Sequence, residues 1–209
     1  MRILIADDHA IVRKGIMELL ASQFPDAEIH EVANGQQALQ KVKDTIWDLI
    51  ILDISMPLKS GIETVKEIRA MSVKAPVLML SMQPEDQYAI RSIKSGASGF
   101  VNKESAMKEL IVAVHTVLSG GKYISDSVRE KLSLSLIENK GKSPLELLSD
   151  RELQVLQMIA NGKTITDISE EIGLSLTTIS TFRARILEKL SLSTNADLTR
   201  FALENGVVK

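Results

Sequence analysis

Asp7 and Asp8 follow the apolar run RILIA, Asp53 ends LIIL, Ser81 ends VLML, and Lys103 follows SGFVN. Carboxylates, a hydroxyl and an ammonium thus close successive short apolar runs. A lone carboxylate is costly to bury beside such a run, so a shared, partly solvated crevice is expected for Asp7, Asp8 and Asp53. Carboxylates gathered in one place repel one another, and their pKa values rise unless a cation neutralises them. A hard divalent ion matches oxygen donors. Mg2+ suits a site with few protein ligands, retained waters and room for a phosphate. Asp8 and Asp53 are the expected direct ligands, with Asp7 acting through water. A carboxylate beside such an ion is also a nucleophile toward phosphorus, which gives an aspartyl phosphate on Asp53. Ser81 and Lys103, with the ion, would then stabilise the phosphoryl oxygens. Taken singly, each residue is ordinary: a turn aspartate, a serine helix cap, a solvated lysine. The ordered set is what carries the chemistry.

These residues need a scaffold that brings run ends together. Apolar runs at 2–6, 28–33, 48–52, 76–80 and 98–102 alternate with helical candidates at 10–22, 35–44, 61–71, 84–95 and 105–119. In the last of these, Leu110, Ile111, Val114 and Leu118 recur at three- and four-residue steps, as an amphipathic helix requires. The alternation predicts an α/β fold, a doubly wound five-stranded parallel sheet covered on both faces. Such sheets bind ligands beyond the carboxyl ends of their strands, where Asp7, Asp8, Asp53, Ser81 and Lys103 fall.

Beyond residue 123 the pattern changes. A helix is predicted at 126–137, and ENKGKSP (138–144) reads as a polar linker. The rest is helical in signal, at 149–161, 164–172, 176–190 and 195–205. Ser149 and Glu152 have capping-box spacing, and Asn161-Gly162 and Gly173 mark helix ends. The pair 164–172 and 176–190, joined across GLS, has helix-turn-helix proportions.

At 209 residues the chain suits one large or two small domains. A net charge of −2 argues against a globally basic nucleic-acid binder and leaves room for a local basic patch. The absence of cysteine fits a reducing compartment. His9, His30 and His115 lie too far apart in sequence for zinc-ligand spacing. MRILIADDHA is no signal peptide, and no apolar stretch approaches the roughly 20 residues of a membrane span. A soluble, cytoplasmic protein without membrane association is expected.

The segments ADDHAIVRKGI, DLIILDISMPLKSGIE, VLMLS and SGASGFVNK resemble the receiver domain of bacterial response regulators over residues 1–120. The resemblance implies that Asp53 is the phosphoacceptor and Asp7 and Asp8 the magnesium pair. It makes the backbone carbonyl of Ser55 the third metal ligand, Ser81 the switch hydroxyl, Phe100 the switch aromatic and Lys103 the phosphate-reading lysine. The side chains of Ser55 and Gln83 occupy positions that tune phosphoryl lifetime in the family. A phosphoryl group would draw Ser81 toward itself and let Phe100 turn inward, a two-state shift that reshapes 84–95, the fifth strand and 105–119. Phe100 has no phenolic hydroxyl, so it would act by packing alone.

RELQVLQMIANGK, EIGLSLTTIS, EKLSLST and ALENGVV resemble the LuxR-type helix-turn-helix, which with the receiver gives the NarL/FixJ architecture. Ser175 would cap the recognition helix, with Ile179, Ile186 and Leu190 facing inward. Thr177, Ser180, Thr181 and Ala184 would face the major groove. Arg183, Arg185 and Lys189 make this helix locally basic, and Thr178 and Lys163 would touch phosphates. In the family the last helix pairs two output domains, which here offers Leu198, Phe201 and Ala202 as a dimer seam. The implied organisation is a receiver at 1–120, a partly helical linker at 121–147 and a DNA-binding domain at 148–209. The implied function is transcription regulation on double-stranded DNA. A histidine kinase would phosphorylate Asp53, and the phosphorylated form would be a homodimer. The protein would be a regulator, not an enzyme. A DNA-binding regulator controlled by a protein or ligand without phosphorylation is the alternative. A phosphohydrolase is disfavoured, because Ser55 stands where one such family has a second acid.

Overall fold

The strands β1 (Arg2–Ala6), β2 (Glu28–Val32), β3 (Leu49–Asp53), β4 (Val77–Ser81) and β5 (Gly99–Asn102) form one parallel sheet in the order β2-β1-β3-β4-β5. They alternate with α1 (Ala10–Gln23), α2 (Gly35–Asp44), α3 (Gly61–Ala70), α4 (Glu85–Lys94) and α5 (Ala106–Leu118). This computed structural model describes residues 1–82, 85–137 and 144–208, and the chain divides into two units, Met1–Glu138 and Asn139–Lys209. Gln83 and the stretch 138–143 of the predicted linker lie outside the described residues.

Every residue of β3 and β4 is buried, as interior strands covered on both faces must be. Alternate residues supply the two faces. Ile3, Ile5, Leu49, Ile51, Leu78 and Leu80 pack with Ile16 and Leu20 of α1 and with Leu110, Val114 and Val117 of α5. Residues of the other parity, Leu4, Ile50, Leu52 and Met79, are equally buried on the opposite face. Each such aliphatic side chain contributes about 1.5–3 kcal/mol. The sheet is therefore a rigid base for whatever its strand ends carry. Register does the rest: Ala6 pairs with Leu52, so Asp7 falls level with Asp53, and Ser81 pairs with Asn102, one residue before Lys103.

The chain after α5 does not leave the sheet at once. Tyr123 bridges Gly99 in parallel: Phe100 N donates to Tyr123 O at 2.9 Å, and Tyr123 N donates to Ser98 O at 3.1 Å. These bonds occupy the free edge of β5. The next helix, α6 (Asp126–Ile137), packs against α4 and buries Val128 completely.

The second unit opens with a 3-10 turn, Pro144–Leu147, followed by α7 (Asp150–Ala160), α8 (Ile165–Ile172), α9 (Leu176–Leu190) and α10 (Asn195–Glu204). Capping boxes start α7 at Ser149, α8 at Thr164 and α10 at Thr194, and the Ser175 side chain caps α9. Gly173 ends α8 at φ 72°, a left-handed conformation that a side chain would strain. The core gathers Leu153, Leu156, Ile168, Ile172, Ile179, Ile186, Leu198 and Ala202. Among the described residues no helix is long and apolar enough to cross a membrane.

Candidate functional site

Lys103, the first residue after β5, reaches across the strand ends. Its Nζ lies 2.7 Å from Asp7 Oδ2 and 3.0 Å from Asp53 Oδ1. Its backbone N–H donates to Ser81 O at 2.9 Å, which ties the end of β5 to the end of β4. The predicted crevice residues are thus together, but the expectation of a partly solvated site is corrected. Asp7, Asp53 and Ser81 are buried, and only the Asp8 side chain keeps appreciable exposure, at 28%. The physical reason is the internal ammonium, which lets two carboxylates sit out of water without being unpaired.

One ammonium does not balance the carboxylates of Asp7, Asp8 and Asp53. Burial pushes Asp53 up to about 6. Lys103 opposes that rise, and the charges on Asp7 and Asp8 add to it. For Lys103 burial is again the largest single effect, but here it is outweighed. Burial pulls its pKa down, yet Asp53 and Asp7 outweigh that and hold it above the usual lysine value. Asp53 Oδ2 is buried with no hydrogen-bond partner. A buried oxygen left over in a net-negative cluster is what a hard cation would satisfy. Asp7, Asp8, His9 and Asp53 each offer a ligand atom, all within 4.8 Å of one another. The donors fit a divalent metal ion.

Several residues that shape this site were not singled out by sequence. Arg13, in the first turn of α1, donates from Nη1 to Asp7 O at 2.7 Å and from Nε to Glu31 Oε2 at 2.6 Å. It pins the turn after β1 to β2. His9 N donates to Asp7 Oδ1 at 2.8 Å, which orients that carboxylate. Gly61 opens α3 directly against β3: a Cβ there would stand 2.1 Å from the Asp53 carbonyl oxygen. The SGIE that follows the Met-Pro turn was the available signal for Gly61. Arg13 had none, because its contacts depend on side-chain reach. Ser55 is half-buried in the loop after β3. Phe100 is already buried, at 2% exposure.

In the second unit, Thr177, Ser180, Thr181, Ala184 and Arg185 lie exposed on α9, opposite the buried Ile179 and Ile186; Leu190 is half-buried. Thr178 is half-buried beside the capping Ser175. Arg183 donates from Nε to Asn195 Oδ1 at 2.6 Å. Two further predicted DNA contacts are also engaged within the unit. Lys163 pairs with Glu171, and Lys189 Nζ lies 2.6 Å from Glu152 Oε2, binding α9 to α7. The three residues expected at a dimer seam, Leu198, Phe201 and Ala202, differ in exposure. Leu198 and Ala202 are wholly buried where α10 packs on α7, within the unit's own core, and Phe201 is half-buried. An apolar stripe reads the same whether its partner is the same chain or another.

Comparison with known proteins follows the two units. Residues 3–115 match the family model described as response regulator receiver domain, and residues 146–202 match bacterial regulatory proteins, luxR family. The chain is 31% identical to "Response regulator UvrY" of Escherichia coli (strain K12) over 208 residues, 99% of this chain and 95% of the relative. It is also 31% identical to "Response regulator GacA" of Pseudomonas viridiflava over 209 residues, 100% of this chain and 98% of the relative. Among solved structures it is similar to RcsB from Salmonella enterica serovar Typhimurium, solved bound to promoter P1flhDC in the presence of phosphomimetic BeF3-. That likeness has a TM-score of 0.58 at 25% identity and covers 96% of this chain and 97% of RcsB. With a receiver sheet carrying a buried acid–lysine cluster and a helix-turn-helix unit after it, the chain belongs to the NarL/FixJ group of response regulators, DNA-binding transcription regulators governed by phosphorylation.

Proposed function

We propose that a histidine kinase phosphorylates Asp53 and that the phosphorylated protein regulates transcription as a DNA-bound homodimer. The observation that carries this is the unpartnered, buried Asp53 Oδ2 beside Lys103, Asp7 and Asp8. A carboxylate oxygen of Asp53 attacks the phosphorus of a kinase phosphohistidine. The P–N bond breaks, its electron pair leaves with the imidazole, and an acyl phosphate forms. Lys103 redirects a hydrogen bond from Asp53 to one phosphoryl oxygen, and the Ser81 hydroxyl donates to another. Mg2+, held by Asp8, Asp53 and the Ser55 carbonyl with Asp7 through water, would offset the excess negative charge at the phosphoryl oxygens. Phe100 starts from inside the domain, so its response is repacking, and its backbone bond to Tyr123 carries that movement beyond β5.

The receiver is assigned to 1–120, the connecting segment to 121–147 and the DNA-binding domain to 148–209. On α9, Thr177, Ser180, Thr181 and Ala184 face the groove with Arg183 and Arg185, while Thr178 and Lys163 serve phosphates. Lys189 is assigned to the fold. The promoter-bound RcsB, solved with a phosphomimetic, supports this reading. The protein acts in the cytoplasm as a regulator, not as a turnover enzyme.

The test is intact mass after treatment with MgCl2 and phosphoramidate, comparing wild type with Asp53→Ala, with light scattering and selection of genomic DNA fragments on the same samples. One phosphoryl adduct, lost in the variant and accompanied by dimer and tighter DNA binding, is the expected result. DNA binding without any adduct would sink the phosphorylation site and favour control by a protein or ligand.

A further inference from the structure

We propose that His9 is a nitrogen donor to the cation at the acid cluster and gives this site a preference for first-row transition ions over magnesium; this rests on the cluster being the metal site proposed above. His9 stands at the cap position of α1, yet its side chain makes no capping bond to the helix. The ring turns the other way. Nδ1 lies 2.8 Å from Asp8 Oδ1 and 3.4 Å from Asp7 Oδ1. A ring nitrogen of His9 belongs to the set of ligand atoms lying within 4.8 Å of one another, together with the carboxylates of Asp7, Asp8 and Asp53. Independently, Asp53 Oδ2 is buried and lacks a partner, which marks the cluster as incomplete.

The backbone of His9 is fixed on both sides. Its N–H is given to Asp7 Oδ1, and its carbonyl accepts from Arg13 N at 3.0 Å. The backbone that carries the imidazole is therefore anchored beside the cluster. The His9 side chain is 63% exposed, so it lines the mouth while Asp53 forms the floor. An ordinary surface pair with Asp8 would contribute little to stability.

Chemistry then separates the ions. Oxygen-only donor sets suit magnesium, which keeps its waters and dehydrates reluctantly. An imidazole nitrogen favours later first-row ions, with affinity rising from manganese to nickel. A set of carboxylates plus His9 thus has a graded preference that carboxylates alone would not reach.

Calorimetric titration of the full chain with MgCl2, MnCl2 and NiCl2 tests this, using wild type, His9→Ala and Asp53→Asn. His9→Ala is expected to weaken nickel most, by at least about tenfold, manganese less and magnesium least. Unchanged nickel affinity in His9→Ala would overturn the proposal. So would an equal loss for all three ions, which would make His9 a support for Asp8 only. The underlying metal reading fails separately: wild type would not bind magnesium, or Asp53→Asn would bind it as well as wild type.

Discussion

The Lys103 ammonium lies 3.0 Å from Asp53 Oδ1 at the carboxyl edge of the sheet, and it is the positive charge inside a cluster that also holds Asp7 and Asp8. Negative charge is in excess there, so neutralising Asp53 should relieve the metal-free fold. Burial first, with Asp7 and Asp8, raises the Asp53 pKa from 3.8 to about 6. The folded state therefore holds this proton more tightly than the unfolded state. Its stabilising contribution is complete below pH ~4 and is lost as pH rises through about 6. In EDTA, Asp53→Asn is expected to be more stable than wild type by about 1–3 kcal/mol at neutral pH, with the two converging near pH 4. Urea unfolding across a pH series measures it. A variant less stable than wild type at neutral pH would mean that Lys103 needs Asp53 more than the other carboxylates repel it.

Gly61 is the second point of leverage. A Cβ at this position meets the Asp53 carbonyl oxygen at 2.1 Å and the Met79 side chain at 2.9 Å. Backbone cannot yield there cheaply, because β3 and β4 are packed on both faces. Gly61→Ala should lose about 2 kcal/mol or more and, where it still folds, should form the phosphoryl adduct more slowly than wild type. Circular dichroism melts and intact-mass time courses read the two effects. Wild-type stability and an unchanged labelling rate would show that α3 can shift without disturbing Asp53.

Much of this was legible in the sequence, for identifiable reasons. The strands were visible because apolar runs in a two-sided sheet are continuous, and each chemical residue sat at the end of a run or one or two steps beyond it. The order of Asp7, Asp8, Asp53, Ser81 and Lys103 then followed from topology. Burial of the acids was not legible, since it depends on how far the Lys103 side chain reaches. Nor was Arg13, whose contacts are to a carbonyl and to Glu31 in the edge strand. Tyr123 looked like connecting chain because one bridging residue at a sheet edge leaves no periodic pattern. Leu198 and Ala202 showed an apolar stripe without showing what covered it.

Arg13 makes a prediction distinct from loss of a ligand. Its Nη1 and Nε donate to the Asp7 carbonyl and to Glu31, not to a cluster carboxylate. Arg13→Ala should weaken magnesium binding by roughly tenfold, the scale of lost outer support at metal sites, while Arg13→Lys recovers part of it. Fold stability should fall by only about 1–2 kcal/mol. Calorimetric magnesium titration of both variants is the check. Full magnesium affinity in Arg13→Ala would mean that the Asp7 Oδ1 bond from His9 N suffices to set the turn.

Two basic residues on α9 should separate cleanly. Lys189 is bound to Glu152, 37 residues earlier, and Glu152 is 2% exposed at the start of α7. Burial raises the Glu152 pKa, but Lys189 and Ser149 outweigh it and hold the carboxyl below its usual value. That pairing stabilises the unit above the ordinary glutamate range and is lost as pH falls through the lowered value. Lys189→Ala should therefore cost about 1–2 kcal/mol of stability at neutral pH, limited by the partial exposure of Lys189, with the loss shrinking in acid. Arg185 is exposed on α9, on the side proposed to face the groove. Arg185→Ala should leave stability within about 0.5 kcal/mol. On an operator recovered from the genomic fragment selection it should weaken binding, and a phosphate contact would also lower the salt slope by about one. Chemical unfolding and fluorescence anisotropy over a salt series decide between them. Lost DNA affinity at full stability in Lys189→Ala, with Arg185→Ala unaffected, would move recognition toward the C-terminal end of α9 and make the Glu152 pair dispensable for the fold.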